Sequence, residues 1–175
     1  HLYSGAPFVA DNQSAVFYPV NLLISLVVGE PSYGAMQGLV VFHMGWAALG
    51  MALFLRSLRL SRAAALFGGI AFGLSDLFVT HIGNLNLNAT AAWLPWLLLA
   101  SHCAYVARSP GWAAGAGALL ALTALAGHAQ LLLIVGCAWA LYVVYRLLAD
   151  RRHGWAYGLH TLALAALTLG VGLGG

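Results

Sequence analysis

Asp11 is the first side chain in this sequence that could do chemistry. It lies in ADNQS, with Gln13 two positions on. A carboxylate in a polar loop can take a proton from an attacking hydroxyl, or hold a divalent cation beside an amide oxygen. A solvated Asx-turn is the plain alternative. The stretch from His81 to Trp93, HIGNLNLNATAAW, adds a histidine, Asn84, Asn86, Asn88 and Thr90 between two apolar runs. His81, Asn84 and Asn86 carry donors and acceptors suited to a polar head group. Asn88 is placed to cap the helix that follows. GHAQ contributes His128 and Gln130. An imidazole there can donate to a phosphate, or cap the preceding helix at its C-terminus.

Asp76 stands inside an apolar run, after FGLS. An ionisable group within a membrane span costs about a few kcal/mol at the bilayer centre and is by default a functional candidate. Ser75 or a histidine on the same side would be its partner. His43 is mid-run and is better explained by an interhelical hydrogen bond than by ligand binding. No group has zinc spacing, and no P-loop, dinucleotide fingerprint or nucleophile elbow is present. Cys103 and Cys137 lie in apolar runs, where thiols act as small hydrophobes.

The elements that must position these residues follow from composition. Hydrophobic residues are 62% of the 175 and charged residues 6%. Soluble domains are about a quarter charged, so this chain lacks the polar surface to stay in water. Apolar runs near 20 residues recur, the length that crosses about 30 Å of hydrocarbon. The expected fold is all-α, a polytopic transmembrane bundle of about six spans plus one interfacial helix. Residues 1–32 form an extracytoplasmic loop with the interfacial helix over 15–28, opened by Pro19. Residues 33–175 form the bundle. Its spans cover about 33–55, 63–79, 88–108, 112–126, 131–148 and from 155 onward. The chain opens at His1 and stops inside an apolar run, so it reads as an internal piece of a longer protein.

Charge checks this threading. Arg56, Arg59, Arg62, Arg108, Arg146, Arg151 and Arg152 are the only cationic side chains besides histidine, and all fall in loops or span ends on one side. Cationic short loops mark the cytoplasmic side. Residues 1–32 and 80–88 then face outward, in a bacterial cytoplasmic membrane. Orientation accounts for the arginines, so nucleic acid is not a partner. Gly34/Gly38, Gly69/Gly73, Gly111/Gly115 and Gly154/Gly158 offer small-residue spacings for close helix packing. Trp93 and Trp96 near one end, and Trp112, Tyr142, Tyr145, Trp155 and Tyr157 near the other, suit aromatic belts.

GAPFVADNQSAVFYPVNLL, LRLSRAAALFGGIAFGLS, HIGNLNLNATAAWLPWLLLA and LAGHAQ, in that order, resemble the bacterial YfhO-type membrane proteins. Those are similar to the GT-C class of integral membrane glycosyltransferases. The resemblance implies transfer of a sugar from a polyprenyl-phosphate carrier to an extracytoplasmic cell-envelope acceptor. It implies Asp11 as base or as ligand to a divalent cation. Gln13, Asp76, His81, Asn84, Asn86, His128 and Gln130 would line the substrate site. The chain departs from that class in offering no outer arginine for a lipid phosphate. A transporter or flippase using Asp76 and His43, and a non-catalytic scaffold for envelope assembly, are the rival readings.

Overall fold

A computed structural model describes residues 15–29, 32–149 and 153–174. Asp11 and Gln13 lie outside the described residues, as do Glu30, Arg151 and Arg152. Among the described residues the fold is all helical: α1 (Pro19–Val28), α2 (Tyr33–Ser57), α3 (Arg62–Gly73), α4 (Asp76–Thr80), α5 (Leu85–Ala92), α6 (Leu94–Ala107), α7 (Pro110–Leu125), α8 (Ala129–Ala149) and α9 (Trp155–Leu173).

Among the described residues, four stretches are long and apolar enough to cross a membrane: α2, α3 continued by α4 (Arg62–Thr80), α8 and α9. Two of the six expected crossings differ from these. Helix α7 has 16 residues, so at 1.5 Å per residue it is about 24 Å long, short of the hydrocarbon thickness. The expected span at 88–108 is two helices, α5 and α6, broken at Trp93. Pro95 causes the break, because it lacks the N–H that would bond Ala91.

Local sequence explains where the helices begin. Ser32, Ser61 and Ser109 each accept a main-chain N–H three residues on, from Ala35, Ala64 and Trp112. Such a side chain satisfies one of the orphan donors of a helix's first turn. Pro19 and Pro110 occupy first-turn positions, where a missing N–H costs nothing.

Packing rests on close backbone approaches. A Cβ on Gly69 would sit 2.6 Å from the Ala48 carbonyl oxygen, and one on Gly73 would sit 2.8 Å from that of Met44. As α3 advances, its contacts move back along α2, so the pair is antiparallel. A Cβ on Gly117 would sit 2.7 Å from the Thr168 carbonyl oxygen, and one on Gly172 would sit 2.9 Å from that of Gly117. Here the numbers rise together, so α7 and α9 run parallel. The Thr168 hydroxyl also donates to the Ala113 carbonyl at 3.1 Å. Of the four glycine spacings, only Gly69/Gly73 meets a neighbouring helix at both positions. Gly38, Gly115 and Gly154 have nothing within 4 Å.

These contacts give the bundle two ends. At one, Phe54 of α2 packs edge-on to His102 of α6 and Tyr142 of α8. Arg108 bonds the Tyr157 carbonyl at 3.4 Å and lies over the Tyr157 ring. At the other, Ala15, Tyr18, Ala89 and Ala126 form one buried cluster. Ala47, Phe78, Leu87 and Leu131 join a second. Arg56, Arg59, Arg62, Arg108 and Arg146 belong to the first end. The α4–α5 and α7–α8 turns belong to the second.

Candidate functional site

Helix α5 organises the end away from the arginines, and it is more buried than its composition suggests. Residues Leu87, Asn88, Ala89, Thr90, Ala91 and Ala92 are all buried. The polar island is therefore two things. Residues 81–84 form an exposed turn, and the rest enters the core. Asn84, not Asn88, caps α5, its side-chain oxygen accepting the Leu87 N–H at 3.1 Å. Asn88 instead donates from Nδ2 to the carbonyls of His81 (2.6 Å) and Asn84 (2.9 Å), tying the turn to the helix. Two carbonyl partners fix which end of the amide is nitrogen. Among the described residues nothing donates to the buried Oδ1 of Asn88. Thr90 returns its hydroxyl proton to the Asn86 carbonyl at 2.8 Å, so Asn86 has a main-chain role in this turn.

The two histidines of this end are held in opposite tautomers. His81 Nδ1 lies 3.0 Å from the Leu77 carbonyl, which only accepts, so Nδ1 carries the proton. The Thr80 hydroxyl, 2.9 Å from the same nitrogen, spends its own proton on the Asp76 carbonyl. In the neutral ring, Nε2 of His81 is thus a bare acceptor on an exposed residue. His128 does the reverse. Its Nδ1 accepts the Leu131 N–H at 3.2 Å, so Nε2 carries the proton and is a donor. His128 therefore caps the N-terminus of α8, not the C-terminus of the helix before it. Leu87 and Leu131 share a cluster, as do Ala89 and Ala126, and these contacts bring the two turns to one end of the bundle. Gln130 is exposed in the first turn of α8.

Asp76 is placed differently. It begins α4 just after the helix break at Leu74-Ser75, and it is exposed. Its carbonyl is bonded by Thr80, while Ser75 is the N-cap of α4 without a side-chain bond. The expected partnership with Ser75 or an outer histidine is not made.

His43 makes a hydrogen bond across the bundle, as expected, but the sequence did not point to its partners, which form a buried chain of three groups. His43 is fully buried, with Nδ1 2.8 Å from the Leu39 carbonyl and Nε2 2.9 Å from the Tyr18 hydroxyl. The carbonyl must accept, so Nδ1 is protonated, Nε2 accepts, and the Tyr18 hydroxyl donates to it. The Tyr18 oxygen in turn accepts the Trp93 indole N–H at 2.9 Å. Direction thus runs from Trp93 through Tyr18 to His43. Burial pushes the Tyr18 hydroxyl up to about 12, against a smaller lowering by Trp93. The available signal was a mid-helix histidine that needed a partner from elsewhere, and a tyrosine directly before Pro19. Trp96 also turns inward, stacking on Trp46 with centroids 4.2 Å apart and donating to its carbonyl at 3.1 Å.

Among the described residues, no three of His, Cys, Asp and Glu gather as a metal set. The geometry of this end can accept a hydroxyl proton at His81 and donate to an anionic oxygen at His128. In comparisons with family models, curated proteins and solved structures, this chain matches none.

Proposed function

We propose that this chain is part of an integral membrane glycosyltransferase that takes a sugar from a polyprenyl-phosphate carrier and adds it to a cell-envelope acceptor. In this reading the bundle crosses the membrane six times in a GT-C-like arrangement. The arginine end faces the cytosol of a bacterium, and the α4–α5 and α7–α8 turns face outward. One observation carries the reading: an imidazole acceptor and an imidazole donor, His81 and His128, stand at the same end, away from the arginines. A phosphate oxygen takes the His128 N–H, and a sugar hydroxyl donates to His81. Asn84, Asn86 and Gln130 complete the polar rim, and Asp76 supports it from the side. Asp11, with Gln13, is the base for the acceptor hydroxyl or the ligand of a divalent cation.

Against a transporter stands the state of His43. Both ring nitrogens are engaged, by Leu39 and Tyr18, so it does not line a path. The decisive experiment supplies membranes containing the full-length protein with a polyprenyl-phosphate carrying a labelled sugar. Label reaching an envelope acceptor, and lost in Asp11→Asn, supports the reading. Label transfer that survives both Asp11→Asn and His128→Asn overturns the site.

A further inference from the structure

Helix α1 is held to the rest of the protein at one end. None of its ten residues is buried. Leu26 and Val27 are each 82% exposed. Tyr18, directly before it, is 1% exposed and sits between Trp93 and His43. At the far end Gly29 adopts φ 73, a left-handed turn that glycine makes without strain. Between α1 and α2 lies a cavity of about 300 Å³. Leu22 and Ile24 line it from α1, Met36 and Leu39 from α2, and Leu85 from α5, with Asn21 and Ser25 as polar groups.

We propose that this cavity takes one acyl chain of a bilayer phospholipid and that α1 is its flap, latched at Tyr18. The proposal is independent of the glycosyltransferase reading. Its occupant follows from the surroundings. Among the described residues four stretches are of membrane length, so hydrocarbon is the phase around their apolar faces. Water in such a cavity needs several polar partners, and the described walls are almost all apolar. The described walls hold no arginine, so recognition is of the chain and not of a phosphate. A flap fits because no residue of α1 is fully buried and, among the described residues, only Val20 packs against a core cluster. Hydrocarbon in the cavity covers the side that Leu22 and Ile24 present to it. The latch is directional: the Tyr18 hydroxyl must donate and His43 Nε2 must accept.

The test places the full chain in lipid nanodiscs. Phosphatidylcholine bearing a photoreactive acyl chain is activated, and labelled peptides are mapped. Labelling of the stretches around Leu22 and Met36 is expected, and Ala35→Trp, which fills the cavity, abolishes it while α9 labels as before. Ala35→Leu gives a partial loss and serves if the tryptophan variant does not assemble. In hydrogen exchange, Tyr18→Phe and His43→Phe speed exchange in α1 by about tenfold, the scale of one lost hydrogen bond. His43→Gln, whose amide oxygen replaces Nε2 as acceptor, keeps α1 near the native rate. Unchanged α1 exchange in both phenylalanine variants overturns the latch. Undiminished labelling in the filled variants overturns the chain site. Stronger labelling by a photoreactive prenol than by the phospholipid overturns the occupant.

Discussion

The two ends of the bundle each bury a histidine bonded to a tyrosine, and they use the pair differently. At the arginine end, His102 Nδ1 meets the Tyr142 hydroxyl at 2.7 Å. That pair joins α6 to α8 and α2, which are already packed, and Phe54 closes over both rings. At the other end, the His43–Tyr18 pair joins α2 to a segment that has little else to hold it. The same two side chains are a redundant clasp in one place and the main attachment in the other. What surrounds a hydrogen bond, not its length, decides what its loss does.

Four changes test this contrast. The largest effect is expected in the α2–α3 seam. Gly73→Leu drives a side chain into the Met44 carbonyl and Ala48 at the end that carries His81. A loss of about 3 kcal/mol in detergent unfolding is expected, with α3 displaced, because backbone cannot give way. Gly68→Leu, toward the arginine end, meets only the tip of Leu55, and about 1 kcal/mol is expected. Equal losses would mean the seam is uniform and the ends are not distinct.

Next comes His43→Phe against His102→Phe. Each deletes one imidazole, and each is expected to cost about 1–3 kcal/mol by leaving buried partners unpaired. Limited proteolysis separates them. The first exposes the α1 segment to cleavage, and the second leaves it protected. Proteolysis at α1 in both would remove the distinction drawn here.

The third is a pH effect. Burial holds the Tyr18 hydroxyl at about 12 when folded, above its ordinary 10.0. A raised folded value favours the neutral form, so its stabilisation is complete below 10 and fades as pH rises toward 12. The wild type should therefore lose more stability over that window than Tyr18→Phe. Parallel alkaline curves would contradict the buried placement.

The smallest effects concern the exposed turns. His128→Asn keeps a side-chain acceptor at the α8 N-cap, so stability should hold within about 0.5 kcal/mol, whereas His128→Ala costs about 1 kcal/mol. In the proposed transferase, His128→Asn still loses sugar transfer, because the shorter amide cannot place an N–H where Nε2–H stood. Unfolding and transfer assays on the same preparations separate capping from binding.

Much of this was legible beforehand. Prolines and arginine-rich turns put several helix limits within a few residues of their places, as at Trp155 and Ala149. Gly69/Gly73 was identifiable as a seam by spacing. Gly34/Gly38 has the same spacing and meets no other helix, since spacing does not say which face finds a partner. The Asn-rich stretch misled for a related reason. Residues 80–88 are expected outward, with a span beginning at 88, yet Asn88 is as fully buried as Thr90, because local main-chain carbonyls satisfy their donors.

Sequence alone determined the membrane-length apolar helices, many of their limits and the gathering of the described arginines at one end, because hydropathy and charge act over a few residues at a time. Tertiary structure decided that Tyr18 and Trp93 would meet His43, which glycines would touch, and which imidazole nitrogens would stay open. Those outcomes depend on partners 25 or 75 positions away, and no local pattern encodes which of several apolar faces will come together.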